Sequence, residues 1–283
     1  MTTLLFSLPV HEKPEIVRDQ VENIRYFCPG ATICIHVSAS AASNKDDFRR
    51  LCDFDNVFVN PSSYETIWCE GLMHTHVSNF LYALEKGRRF DKVVLLSSNE
   101  MLVKHGLADY VAGYKLGSQT ELYETANDWG SFRTDVLSST AMRNFLARID
   151  MRGLYFGGQA EGQFFDTGIF AHITRIFVEN FPMAPCGFPS EEIIPPTVAA
   201  YYALNGVDAA LPITFCDYCT NLEITTDTID HIRRGTGTIF ARRYLKALPS
   251  PHMGSATLSG VFSIKRIPRE DCELRRYIRG LMV

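Results

Sequence analysis

A single α/β domain on a mostly parallel, Rossmann-type sheet flanked by helices is predicted by three observations. Short apolar runs recur along the first hundred residues. Stretches with apolar residues every three or four positions lie between them. One run, residues 90–103 (FDKVVLLSSNEMLV), passes abruptly from aliphatic to polar. Lys92 to Leu96 carries the β-branched and leucine residues of a fully buried strand, with charge before it and Ser-Ser-Asn-Glu after it. In open α/β sheets ligands sit beyond the carboxyl ends of the strands, so Ser97, Ser98, Asn99 and Glu100 fall where chemistry is expected.

The other elements follow in order. Residues 3–10 (TLLFSLPV) read as a first strand, stopped by His11-Glu12-Lys13. Pro14 suits the first turn of a helix, and Val17, Val21, Ile24 and Phe27 give that helix its apolar stripe. Residues 31–37 form a second strand ending in the small-residue run 38–43, and a charged helix over 45–52 leads to a third strand at 56–59. A helix over 71–84 presents Met73, Val77, Phe80, Leu81 and Leu84 on one face and delivers the chain to the strand at Lys92. This alternation predicts parallel strands joined by right-handed crossovers.

After Val111 the pattern loosens. Residues 120–132 are polar and aromatic without a period and predict a loop over the site, and residues 135–149 predict a helix. Glycine-rich residues 153–163 precede a helix holding Phe165, Ile169, Ile173, Ile176 and Phe177. Residues 185–196 (PCGFPSEEIIPP) read as a turn-rich segment that presents Glu191 and Glu192 ahead of a helix over 197–204. Two similar aromatic-then-basic runs follow, 239–244 (IFARRY) and 261–267 (VFSIKRI). No tandem repeat or low-complexity linker divides the chain, so residues 1–283 are expected to form one domain.

With 46 % hydrophobic residues over 283 positions the chain can bury a substantial core. A net charge of −4 gives no global attraction to nucleic acid or anionic membrane, so any anion site must be local. The eight cysteines are scattered, several inside apolar runs, and read as thiols. No run approaches the ~20 apolar residues of a membrane span, and no basic leader opens the sequence; a cytoplasmic location is expected.

Most reactive-looking motifs reduce to structure. Asp53-Phe54-Asp55 has the D-x-D form that holds a divalent metal in many nucleotide-sugar transferases, but it precedes the third strand rather than following the fourth. Glu100 alone offers a hard cation too few oxygens. Cys216-Asp217-Tyr218-Cys219 is a lone C-x-x-C without a second pair, and the glycines at 157–158 and 235–237 lack both the phosphate-loop lysine and the spacing of a dinucleotide fingerprint. His74 and His76 lie two apart and are expected to diverge on a helix. Two features remain. Glu191-Glu192 is either an acidic helix start or a carboxylate held ready for a proton. Arg242-Arg243 and Lys265-Arg266 are either solvated charge or cations for a diphosphate leaving group.

The order of these segments resembles the core-2/I-branching N-acetylglucosaminyltransferase and peptide xylosyltransferase family. FDKVVLLSSNEMLV is similar to that family's strand and polar edge, residues 33–37 (ICIHV) to its second strand with Ser38 in place of the usual aspartate, and Trp68 with Glu70-Gly71 to its tryptophan-containing helix start. Pro189-Ser190-Glu191-Glu192 resembles its Pro-Asp-Glu segment, and the two basic clusters resemble its carboxyl-terminal arginine and lysine. The resemblance implies a GT-A-like, inverting, metal-independent glycosyltransferase that takes a nucleotide-sugar, a UDP-sugar, as co-substrate. Residues 1–111 would be the nucleotide-binding half, and residues 112–283 the acceptor-binding and catalytic half. It casts Glu192 as the catalytic base and Arg242 or Arg243 with Lys265 or Arg266 as the diphosphate cations. Pro9, Val10, His11, Val37 and Ser38, with the edge Ser97–Asn99, would hold the nucleotide. Trp68, Glu70, Gln159, Glu161 and Glu191 would meet sugar or acceptor. The acceptor implied is a glycan or lipid-linked glycan, with peripheral membrane association through it; no nucleic-acid partner is expected. The alternatives are a metal-dependent transferase using Asp53/Asp55 or Glu100, a non-catalytic sugar- or nucleotide-binding module, and a nucleotidyl enzyme on a similar sheet.

Overall fold

In the computed structural model, residues 2–68, 70–122, 136–215, 224–235 and 258–283 are described. The first hundred residues alternate as their apolar pattern predicts: β1 (Leu4–Val10), α1 (Pro14–Phe27), β2 (Thr32–Val37), α2 (Lys45–Leu51), β3 (Val57–Val59), α3 (Met73–Glu85) and β4 (Lys92–Leu95). Pro14 starts α1, whose Val17, Val21 and Ile24 are fully buried; the Asn44 side chain caps α2 by accepting the Asp46 N–H at 3.0 Å. The chain steps outward from β1 to β2 to β3, then crosses back so that β4 pairs with the other edge of β1. Helices α1 and α2 therefore cover one face of the sheet and α3 the other.

Beyond β4 the elements shorten: β5 (Met101–Leu102), α4 (Leu107–Ala112), β6 (Leu116–Gly117), β7 (Glu121–Leu122), α5 (Thr140–Arg148), β8 (Phe156–Gly157), β9 (Phe164–Asp166), α6 (Thr167–Asn180), α7 (Ser190–Leu204), β10 (Ala209–Ala210), β11 (Thr214–Phe215), α8 (Thr226–Arg234), β12 (Ser263–Ile264) and α9 (Glu273–Gly280). The main sheet has the order β10-β6-β9-β4-β1-β2-β3, parallel except for β9, which runs against both neighbours. A smaller sheet, β11-β12-β5, packs with α8 and α9 around Met101, Ile229, Ile264 and Ile278.

Two segments differ from the sequence expectation. Phe165, expected in a helix, lies in β9: Phe164 and Phe165 join cores on opposite faces of the sheet, a period-two pattern too short to read beforehand. A side chain on Gly117 would meet the Phe164 ring at 2.1 Å, so this close pairing needs glycine. The helix expected from 197 begins at Ser190 and includes Pro195 and Pro196. Those prolines offer no N–H to the carbonyls of Glu191 and Glu192 four residues back. Both carbonyls are served from outside the helix: Gln163 Nε2 donates to Glu191 O at 3.0 Å, and Gly158 N to Glu192 O at 2.9 Å.

The carboxyl-terminal helix is fastened by charge. Arg275, 1 % exposed, donates to Asp19 of α1 and to the Pro268 carbonyl, and Arg279 Nε reaches Asp19 Oδ1 at 2.8 Å. No described helix is long and apolar enough to cross a membrane.

Candidate functional site

The strand order reverses between β1 and β4, and ligand crevices form where it does. A cavity of about 350 Å³ lies there. Its wall takes Pro9, Val10 and His11 from the end of β1, Leu96, Ser97, Ser98 and Asn99 from the end of β4, and Ala160 and Glu161 from the glycine-rich loop. Trp68, Leu72 and His76 come from the start of α3, Glu191 from α7, and Lys265, Arg266 and Arg269 from the segment after β12.

Glycines set the close approaches. At Gly162 (φ +74°) an added Cβ would meet Thr214 Oγ1 at 2.2 Å, and at Gly71 (φ +104°) it would meet Ser190 Oγ at 2.4 Å. Gly71 thus lets the chain before α3 abut the first turn of α7. There the buried Glu191 carboxylate accepts the Leu72 N–H at 2.6 Å. Burial raises the Glu191 carboxyl above its ordinary value, with the Leu72 N–H opposing.

The cationic corner rests on buried carboxylates. Lys265 forms an ion pair with Glu161, and burial pushes its ammonium down to about 8 against the pull of Glu100. Glu100 is fully buried, accepting the Ser97 N–H and the Thr214 hydroxyl at 2.6 Å; burial raises its carboxyl despite Lys265. Arg269 Nε donates to Glu12 Oε1 at 2.7 Å. Burial favours a protonated Glu12, but the Ser98 hydroxyl, His11 and Arg269 outweigh it and hold the carboxyl low. Arg266 has a left-handed backbone, φ 67°, an unusual conformation for a residue with a side chain.

Of the residues expected at a site, the cavity brings together Pro9, Val10, His11, Trp68, Ser97, Ser98, Asn99, Glu161, Glu191, Lys265 and Arg266. Val37 and Ser38 are buried beside it; Ser38 Oγ accepts from Thr66, which reaches the wall, at 2.7 Å. Gln159 is one layer back and holds the loop through Glu161 O at 2.7 Å and Thr214 O at 2.8 Å. Glu70 is exposed, its carbonyl receiving the Cys186 N–H at 2.7 Å. Glu192 lies next to Glu191 but not on this wall. Arg242, Arg243 and the Cys216–Cys219 pair lie outside the described residues. Asp53 and Asp55 are exposed ahead of β3, at the opposite end of the sheet, where the Arg25 guanidinium stands 4.3 Å from the Phe54 ring. Among the described residues no three His, Cys, Asp or Glu side chains are grouped to hold a metal ion.

Sequence reasoning missed Thr66, Leu72, His76 and Arg269 on the wall. The one signal for His76 is the polar run His74, Thr75, His76, Ser78, Asn79 inside an otherwise apolar helix; all five are buried. His74 and His76 point to different partners, His74 Nε2 to the Glu65 carbonyl at 2.9 Å and His76 Nδ1 to the Ser7 hydroxyl at 2.8 Å. Burial first, then the neighbouring histidines, pushes His36 down to about 4 and His76 to about 3.

No protein-family model matches the chain, and no curated protein matches it in sequence. Solved structures resemble it in chain trace. A nucleoside-diphosphate-sugar pyrophosphorylase from Vibrio cholerae RC9 aligns with TM-score 0.44 and 7 % identity over 74 % of this chain and 91 % of its own. A mannosyltransferase from Pyrobaculum calidifontis, in complex with GDP-Man and Mn2+, aligns with TM-score 0.42 and 14 % identity over 92 % of this chain and 68 % of its own.

Proposed function

We propose that the cavity receives a nucleotide-sugar donor, a UDP-sugar, and that the protein is an inverting glycosyltransferase acting on a glycan or lipid-linked glycan hydroxyl. One observation carries the reading: the crevice where the strand order reverses joins three cations, Lys265, Arg266 and Arg269, with the buried carboxylate of Glu191. In the transfer the acceptor oxygen bonds to the anomeric carbon as its proton passes to a carboxylate. The bond to the diphosphate breaks with its electrons going to the phosphate oxygen, where fixed cations meet the charge. The mechanism assigns that charge to the chain's own side chains and calls for no metal. Glu191, on the wall and raised toward neutrality, is one candidate base; Glu192, designated by the family resemblance, is the other. Trp68, 92 % exposed at the cavity, offers a flat face for a sugar ring. A lipid-linked acceptor would bring the protein to a membrane surface only through that acceptor.

Calorimetric titration with UDP, in chelator and then with manganese, tests donor binding. Binding in chelator is expected; binding only with manganese would move the site to carboxylates, and none in either would remove the donor class. Glu191→Gln and Glu192→Gln, each keeping shape while removing a base, separate the two carboxylates. One should lose transfer of the sugar by roughly a hundredfold or more with UDP binding kept; full turnover in both would remove both carboxylates as the base, and UDP binding with no transfer by the unsubstituted protein would leave it a binding module.

A further inference from the structure

His76 is 4 % exposed yet forms part of the cavity wall, and its surroundings fix its protons. Asn79 Nδ2 donates to the Cys34 carbonyl at 2.9 Å, which settles which end of that amide is nitrogen. The same nitrogen donates to Ser7 Oγ at 3.1 Å, while Asn79 Oδ1 accepts from Asn60 Nδ2 at 3.1 Å. The Ser7 hydroxyl, with no exposed surface, then has one acceptor among the described residues, His76 Nδ1 at 2.8 Å. A hydrogen on Nδ1 would leave the buried Ser7 O–H without a partner, so Nδ1 accepts and the hydrogen is on Nε2. No hydrogen bond from Nε2 to a described residue is present, and Nε2 is on the ring edge opposite Ser7. His36 and His74 differ: each uses Nε2 on a backbone group, Tyr64 N and Glu65 O, both at 2.9 Å, and buries Nδ1.

We infer that His76 is a specificity-determining residue: held as the Nε2–H tautomer, it offers the ligand a neutral hydrogen-bond donor that selects an uncharged oxygen, a hydroxyl or carbonyl of the donor's sugar or nucleoside. The identity of that ligand rests on the proposed donor site. The imidazole adds no charge, so phosphate recognition stays with Lys265, Arg266 and Arg269. Its surroundings disfavour a charge on it: burial first, then His36 and His74, oppose a proton on His76, and no carboxylate of a described residue is hydrogen-bonded to any of the three rings.

Long-range 15N–1H correlation spectra of the histidine rings, recorded on the ligand-free protein, read the tautomer whatever the ligand. A protonated Nε2 on His76, converted to mixed tautomers by Ser7→Ala, is expected; a protonated Nδ1 in the unsubstituted protein overturns the inference. UDP and UDP-glucose then give the second reading. His76→Phe should weaken binding roughly three- to tenfold, the worth of one neutral hydrogen bond, and His76→Gln, whose amide can donate from a similar place, should restore part of it. Loss already with UDP assigns the oxygen to the nucleoside, and loss only with UDP-glucose assigns it to the sugar. Unchanged affinity for both, or movement of no His76 ring resonance on saturation, overturns the role. Failure of the unsubstituted protein to bind either ligand overturns the donor reading and His76's selection of a donor oxygen with it, whereas binding that His76→Phe leaves unchanged overturns the His76 role alone.

Discussion

Two buried ionic groups tie the carboxyl-terminal segment to the first half of the chain, and they differ in what lies beside them. Asp19, Arg275 and Arg279 join α9 to α1, with the Pro268 carbonyl and the Met101 sulfur closing round Arg275. Glu161, Lys265 and Glu100 join β12 to the end of β4, but Lys265 and Glu161 also form cavity wall. In the first group Asp19 and Arg275 are buried, Arg279 reaches Asp19 from the exposed surface, and none of the three lines the cavity, so the group holds the helix in place. In the second a carboxylate occupies a cation at the edge of a cavity, a contact that an incoming phosphate can take over. Burial of charge alone therefore does not distinguish a staple from a site; access to a cavity does.

The largest expected effect lies in the first group. Arg275→Met should lower unfolding free energy in urea by about 3 kcal/mol, the low end for breaking a buried pair because Arg279 stays on Asp19. UDP affinity of the folded fraction should not change, and a parallel loss of binding would erase the distinction. In the open group, Lys265→Ala should weaken UDP by roughly ten- to a hundredfold, the value of a charged hydrogen bond.

Acidity sharpens the point. The Lys265 ammonium, lowered to about 8, loses its proton as pH rises through that value, so UDP affinity should decline above about pH 8. Lys265→Arg should abolish the decline. Stability moves the opposite way: an unfolded lysine keeps its proton to about 10.4, so the cost of burying the charge, present below pH 8, fades between those limits. A flat binding profile in titrations from pH 6.5 to about 9.5 would deny Lys265 its role. Glu161→Gln, which removes the competing carboxylate, should tighten UDP a few-fold; weaker binding would mean that Glu161 supports the ligand directly. The smallest effect belongs to Asp53→Asn with Asp55→Asn, exposed at the far end of the sheet, which should leave UDP affinity with and without manganese unaltered.

The first half of the fold was legible because its strands are long enough to show a period: Leu4–Val10 and Thr32–Val37 each read as a run, and Pro14 marks a helix start. The second half was not, because strands such as Phe156–Gly157 and Ser263–Ile264 have two residues and no period at all. The wall residues at Pro9–His11 and Ser97–Asn99 were found because a strand's end is visible in sequence. His76 was hidden for the converse reason: its partner Ser7 lies 69 residues away, and the tautomer depends on Asn79, Cys34 and Asn60 together.

The proline pair in α7 has a mechanical consequence. Withdrawing Gln163 and Gly158 would strand two carbonyls at a cost of about 1–3 kcal/mol each, so the glycine loop and the start of α7 are coupled as one rigid lever. Glu161 rides on one arm and Glu191 on the other. A ligand that displaces Glu161 from Lys265 must then either rotate that side chain alone or move the glycine loop together with the start of α7 and Glu191 on it.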